Sequence, residues 1–490
     1  MHLAKQFRRL TAAAILALLP CAANAGAVIT DFTPAHEPGS TPEALTHLTN
    51  KALVTEALDP GDTGRGKSVG FVLWRELLSA VSDQSGAGVI LARPPEGQRL
   101  TELLRRDYHR AAVQIARSQK TWLALWAVVE VDDDLVFLHP YLSLLPEVRG
   151  AQPLLGVYAR GRRTPLPGFA AALPRTQFGF RTRRMRLDDL FARAVVTRRQ
   201  ASLHQAPDTG SAVVARVPAQ TALSMRDMRD VWAEVETLDG VTGYLEMRED
   251  SPVDIPPAYV VGRQRTGNIR AAPSISAERI DTRVIDGRFR VLDQRFVKER
   301  GKWLKWYRLD FDFGPAWIWA GLVDDRYSLP AIDFVAGMLR HGLSNYAQAA
   351  DHFRRYIETA GADARNVNLA TAYQFLGATT LIGKSANPPE ALRAFDRAVD
   401  LTPYDPNAYA LRAIANAGLT RRIDDALLDD LDKALSLDRL NPTARALLTA
   451  VDRVNENVGP AILQDTFPIR DRAALRRDLT DIRARYGLPE

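Results

Sequence analysis

Asn268-Ile269-Arg270-Ala271-Ala272-Pro273 opens a stretch that continues to Lys302-Trp303 and closes at Gly314-Pro315-Ala316-Trp317-Ile318. About 70 residues earlier the same kinds of residue stand in the same order: Ser202-Leu203-His204-Gln205-Ala206-Pro207, Trp232-Ala233-Glu234-Val235, then Gly243-Tyr244-Leu245. Between these marks apolar residues alternate in short runs. The first copy has them at Val213–Val217 and Ala222–Met225, the second at Ile280–Ile285, Phe289–Leu292 and Trp303–Leu309. Short alternating runs divided by turn residues predict small β-barrels. Two such modules are expected, at 195–250 and 258–326, with a Pro-rich linker at 251–257. Duplicated small modules present surfaces more readily than they perform chemistry.

These residues resemble bacterial SH3-like domains, whose pattern runs from N-x-R-x-x-P through W-x-x-V to G-W-V. Residues 268–273 keep that start closely and 202–207 loosely, and 314–318 carries an insertion. The resemblance implies peptide or cell-wall ligands on exposed aromatics, with Trp306 and Trp319 as candidates. A barrel this small also needs indoles in its core, and Trp232 and Trp303 are expected there.

A helical period of 34–42 residues begins near Ala331 and fills 330–455. Gly337, Tyr346, Ala349, Phe353 and Tyr356 form one copy. Tyr373, Leu376-Gly377, Ala391, Phe395, Ala398 and Pro403 form the next, and Tyr409, Ala413, Ala426, Ala434 and Leu435 a third. Small residues at these points let helices approach, and aromatics fill between them. The pattern resembles tetratricopeptide repeats. That resemblance implies an inner groove for a peptide or helix, with Arg340, Asn368, Gln374, Arg412 and Asn416 facing it. A basic helix is expected at 460–490.

The amino terminus reads as a secretory signal over 1–25: Lys5, Arg8 and Arg9, an apolar run Leu10–Ala23, then Ala23-Asn24-Ala25. That run is shorter than the ~20 residues of a spanning helix, and charges interrupt every later one. The expectation is a periplasmic protein with no transmembrane helix once the signal is removed. Lipidation at Cys21 is not expected, because Pro20 stands where a lipoprotein box requires a small residue. Cys21 is the only cysteine and leaves with the signal, so the mature chain lacks a thiol nucleophile or thiolate ligand. Residues 26–41 form a flexible lead-in.

Charge is uneven. Twelve arginines, no lysine and two aspartates make 149–199 a +10 segment in a chain of net +6. Arg160, Arg162, Arg163, Arg181, Arg183, Arg184 and Arg186 are its densest part and its anion-binding candidates. In an exported protein the expected targets are peptidoglycan or anionic lipid, not nucleic acid. The stretch 149–194 is otherwise an Arg-rich connector.

Residues 42–148 are expected to form an α/β domain. Its reading is a helix over Pro42–Leu58, a second over Val69–Val81, a strand at Gly86–Ala92, a helix at Leu100–Ser118 and a hairpin across Trp122–Tyr141. The order resembles the amino-terminal α/β fold of the Tol translocation protein.

Gly61-Asp62-Thr63-Gly64-Arg65-Gly66-Lys67-Ser68 matches G-x-x-x-x-G-K-S. In a nucleotide site Lys67 would hold phosphate and Ser68 magnesium. That reading also needs a buried strand just before Gly61, where the sequence instead reads as the end of a helix. The seven histidines after the signal show no zinc-ligand spacing, and no S-x-x-K or H-E-x-x-H occurs. The composite expectation is a multidomain α+β protein: an α/β domain, two SH3-like barrels and a tetratricopeptide array. It would be a non-catalytic envelope scaffold without cofactor or metal, binding envelope proteins or peptides. A cell-wall hydrolase with its site in the α/β domain is the alternative, and nucleotide binding at 61–68 the second.

Overall fold

The computed structural model describes residues 33–35, 48, 50–81, 86–93, 108–145, 148, 155–157, 169–171, 176–247, 253–361, 365–382, 386–420, 422–455 and 471–489. The signal and Cys21, the lead-in apart from 33–35, and Arg160, Arg162 and Arg163 fall outside these residues. The fold is multidomain α+β with a helical carboxy-terminal region. Two compact units divide it. One holds Met1–Ser82, Gly88–Leu145 and Thr182–Leu329; the other holds Asp83–Ala87, Pro146–Arg181 and Pro330–Glu490.

In the first unit, the strands Thr33–Ala35, Ala87–Arg93, Asn50–Thr55, Leu123–Asp132 and Leu135–Leu144 lie side by side in that order. Asn50–Thr55 overturns the helix expected over 42–58. Every residue of it is buried, and it runs parallel to Leu123–Asp132. A central strand covered on both faces shows no alternation, so its sequence carries no period-2 signal. Helix Arg65–Val81 buries Phe71, Leu73, Trp74 and Leu77. The Trp74 indole donates to Val89 O at 3.0 Å and that of Trp122 to Asn50 Oδ1 at 2.9 Å, so both buried rings keep their polar edge satisfied. Strand Arg183–Arg186, inside the segment read as a connector, pairs with Leu135–Leu138.

Two β modules complete this unit. The first orders its strands as Val213–Val217, Ala201–His204, Thr242–Glu246, Trp232–Glu236, Ala222–Arg229, Arg193–Thr197 and Val253–Asp254. The second repeats the path with Arg279–Ile285, Arg265–Arg270, Gly314–Trp319, Lys302–Phe311, Arg288–Glu299, Tyr259–Gly262 and Val323–Arg326. The duplication extends to local detail. Asp208 N donates to Ala206 O at 2.7 Å and Ser274 N to Ala272 O at 2.8 Å, closing the same turn in each copy. The second core gathers Val260, Ile269, Ile285, Val291, Tyr307, Leu309 and Ile318.

The second unit is built on helices Pro330–Gly342, Tyr346–Ala360, Asn366–Leu381, Pro388–Leu401, Pro406–Thr420, Asp425–Leu437, Pro442–Asn455 and Arg472–Tyr486. Proline opens four of them, where its missing N–H costs no helical bond. A Cβ on Gly337 would stand 2.9 Å from the Phe353 ring, and one on Gly377 2.6 Å from the Phe395 ring. Glycine there lets paired helices close on an aromatic, and the contact recurs from pair to pair. Tyr346–Ala360 buries one stripe, whereas Asn366–Leu381 is buried nearly all round. A helix apolar on every side needs cover on both faces. Helix Arg472–Tyr486, capped by Asp471, lays Leu475, Leu479 and Ile482 inward and keeps a polar outer face. No helix among the described residues is long and apolar enough to cross a membrane.

Candidate functional site

The phosphate-loop motif follows the buried strand 50–55 after all, through a short loop into helix 65–81. Its interior is filled by the chain itself. Asp59 Oδ2 accepts from the Arg65 amide at 3.1 Å and from Thr63 Oγ1 at 3.1 Å, so a carboxylate occupies the helix start where an anion would be held. A Cβ on Gly66 would fall 2.5 Å from Ala57 O, so this glycine serves close backbone approach. The side chains point elsewhere. Arg65 pairs with Asp227 at 2.7 Å, Lys67 with Asp230 at 3.4 Å, and Ser68 Oγ donates to Asp230 O at 3.1 Å. All three grip one hairpin end of the first β module, Asp227 to Asp230. The Arg65 guanidinium holds Asp227 below the usual carboxylate range despite the opposing effect of partial burial.

The inner face of the helical array is the strongest candidate for recognition. What covers it is the chain's own segment at 176–181. Phe178 and Phe180 are buried, with ring centroids 5.6 and 5.5 Å from Phe334, and Phe180 meets Tyr356 edge-on at 5.9 Å. Between them, Gly179 O accepts from Asn368 Nδ2 at 3.0 Å. Two side chains on one side of an extended segment pack on the Phe334 ring, and an amide holds the backbone between them. Burial pushes the Tyr356 hydroxyl well above its usual range. Further along, strand Leu155–Val157 runs beside helix Asn366–Leu381, and strand Phe169–Ala171 beside helix Pro442–Asn455.

Of the array residues expected to face a partner, three are spent internally. Arg340 is buried and donates to His352 Nε2 at 3.0 Å and to Gln348. Asn368 holds Gly179, and Gln374 is buried against Asp405. Arg412 is partly exposed, bridging Asp430 at 2.6 Å and Asp396 at 3.2 Å, and Asn416 donates to Asp424 at 3.2 Å. The polar positions of the inner helices thus tie helix to helix. Signal for the real occupant existed in Phe178-Gly179-Phe180, an apolar alternation inside a basic run.

In the second β module Trp306 and Trp319 stand opposite each other across a strand pair. Trp306 is 1% exposed and Trp319 44%, so only Trp319 offers a surface. Trp232 is half-buried, edge-on to His204 at 5.7 Å, and the Trp303 side chain lies outside the described residues. Arg181, Arg183, Arg184 and Arg186 are exposed, and Arg186 pairs with Asp134 at 2.8 Å.

For the hydrolase alternative, hydroxyl–histidine contacts are found among the described residues of the α/β domain: Thr182 Oγ1 lies 2.8 Å from His139 Nδ1 at the surface, with Glu130 3.8 Å from His139 Nε2. Ser143 Oγ lies 3.0 Å from His109 Nδ1, but Ser143 is 1% exposed and also takes the Trp126 indole N–H at 3.2 Å. A cleft lined by Arg75, Leu78, Ser79, Arg198, Ile255, Gln294 and Phe296 has no carboxylate or histidine among its described residues. Among the described residues no group of three or more His, Cys, Asp or Glu is placed to hold a metal.

No family model and no curated protein matches the chain. Among solved structures it is similar to NlpC2 from Trichomonas vaginalis, at 12% identity over 28% of this chain and 48% of that one, with a TM-score of 0.15. NlpC1 from the same organism gives 11%, 28%, 46% and 0.15. An NlpC/P60 family protein from Bacillus cereus gives 11%, 30%, 63% and 0.11. This chain spans about half the length of the first two. At such TM-scores the likeness carries no argument about fold or activity.

Proposed function

We propose that this chain is an exported, non-catalytic interaction scaffold of the cell envelope, built from an α/β domain, two SH3-like barrels and a tetratricopeptide array. The observation that carries the reading is the seating of Phe178-Gly179-Phe180 on the array: aromatic contacts flank an amide that grips a peptide carbonyl. That is the chemistry of holding an extended chain, and it supplies no group for bond cleavage. The array's inner face is used on the chain itself. Partner proteins are then taken by surfaces left open, with Trp319 on the second barrel and the turn residues Tyr404 and Leu440 among the exposed apolar positions. Tyr404 and Leu440 each stand two residues before a helix-opening proline, 36 positions apart, and so mark one edge of the array. Peptidoglycan and anionic lipid are the ligands proposed for the exposed arginines at 181–186.

Incubation of the purified chain with isolated cell-wall sacculi separates scaffold from hydrolase. The scaffold reading expects retention without release of soluble fragments. Release that is lost in Ser143→Ala would overturn it.

A further inference from the structure

The two β modules share a bulged strand, and the hairpin beyond the bulge ends differently in each. Asp227 and Asp293 follow equivalent register shifts. Each accepts from the next amide, Met228 N at 2.8 Å and Gln294 N at 2.7 Å. Each also accepts from the guanidinium two residues on, Arg229 at 3.3 Å and Arg295 at 3.1 Å. From this common point the first hairpin closes at the pair Arg229–Trp232, around Asp230-Val231. The second continues to the pair Glu299–Lys302, around Arg300-Gly301. Measured from the aspartates, 227 to 229 against 293 to 299, it is four residues longer on that strand. The returning strand is longer by the same amount, 302 to 308 against 232 to 234.

The charge at the end is also inverted. The end of the first hairpin is acidic and docked, through Asp227 on Arg65 and Asp230 on Lys67. The second exposes Phe296, Lys298, Arg300 and Lys302. Alternation along the strand puts Phe296 and Lys298 on one face. Glu299, the acid at this end, is drawn back to the Ile275 amide at 2.9 Å and to the Ser274 hydroxyl. Lys298, Arg300 and Lys302 form no ion pair or side-chain hydrogen bond with another described residue.

We infer that the projecting tip of the second module, residues 296–302, docks onto an acidic surface of a partner protein. It repeats outward, with the sign reversed, the turn-to-helix contact that the first module makes within the chain. A protein surface fits better than a membrane because the copy already engaged is held by discrete side-chain pairs on a folded element, on a footprint of one hairpin end, Asp227 to Asp230. Phe296, 41% exposed, supplies an apolar contact beside the cations.

The test uses the full chain and two probes, labelled poly-L-glutamate and phosphatidylglycerol vesicles. Wild type is compared with K298E/R300E/K302E and with a control, R265E/R279E/R290E, that reverses exposed arginines elsewhere on the same module. The loss of three exposed charge pairs predicts about a tenfold loss of poly-glutamate affinity in the tip variant. The control should keep most of its affinity, and circular dichroism should be unchanged. K298A/R300A/K302A gives the same ordering with a smaller loss if the reversal does not fold. Equal losses in tip and control variants, or no loss, would overturn the inference. So would tip-dependent retention on vesicles with poly-glutamate binding unchanged, which would make the partner a membrane. None of these outcomes touches the array, so this inference and the scaffold reading fail separately.

Discussion

Glu76 Oε1 and Arg193 Nη1 meet at 2.6 Å with both side chains 1% exposed or less. Glu76 lies on helix Arg65–Val81 and Arg193 opens the first strand of the first β module. Ser328, just past the second module, joins them: its hydroxyl donates to Glu76 at 2.7 Å and accepts from Arg193 at 2.9 Å, and its amide donates to Glu76 at 3.1 Å. One buried carboxylate thus ties three parts of the unit, and it anchors Arg193 at the end of residues 183–194, which were expected in a connector and form strand and helix.

Removing either partner strands a buried charge. Glu76→Ala or Arg193→Ala should cost about 3–5 kcal/mol, whereas Glu76→Leu with Arg193→Met should recover much of that loss. Urea unfolding of the full chain checks this. A single variant within 1 kcal/mol of wild type would mean the pair is solvated.

The array should weaken in mild acid. His352 is buried between Asp333, at 2.8 Å, and Arg340, at 3.0 Å. Burial first, and then Arg355, lowers its pKa to about 4 from an ordinary 6.5. The unfolded chain therefore binds this proton more readily. Its contribution to stability is full above about pH 6.5, falls as pH drops toward 4, and levels off below, a loss of about 3 kcal/mol. His352→Gln should flatten that slope in thermal melts between pH 7 and 4. An identical slope in the variant would contradict the assignment.

The 61–68 motif should behave as an interface. The coupling between Arg65→Ala and Asp227→Ala in a double-mutant cycle should be about 1 kcal/mol, since the pair is only part-buried. Gly66→Ala should destabilise more, because its Cβ would meet Ala57 O at 2.5 Å. Adding ATP and magnesium should leave the melting temperature of wild type and Lys67→Ala alike. A nucleotide-induced rise present only in wild type would revive the nucleotide reading.

On the array, Phe178→Ala should cost about 3–5 kcal/mol by leaving a cavity against Phe334. Asn368→Ala should cost about 1–3 kcal/mol by leaving Gly179 O unsatisfied. Hydrogen exchange should rise at 176–181 in both variants. Unchanged protection there would contradict the grip.

Much of the architecture was legible because duplication is visible residue by residue: Ala206-Pro207 returns as Ala272-Pro273 and closes the same turn. The equivalent Asp227-Met228-Arg229 and Asp293-Gln294-Arg295 also mark the bulge in each copy, where each aspartate accepts from the next amide. Strand 50–55 was hidden because full burial erases alternation, and because Lys51 is buried in it, its amine pKa lowered by that burial. What the inner array positions hold was hidden for a different reason. A repeat pattern tells which side of a helix faces inward, but not that a distant Phe-Gly-Phe returns to cover it.

The central claim is that the array grips an extended aromatic peptide and that residues 176–181 are its resident occupant. The direct measurement is fluorescence anisotropy of a labelled peptide of residues 174–184, titrated with wild type and with the F178A/F180A variant. The account predicts saturable binding to the variant, weakened when Asn368→Ala is added, and little binding to wild type, whose site is filled. Equal binding to both proteins, or none to a folded F178A/F180A variant, would contradict it.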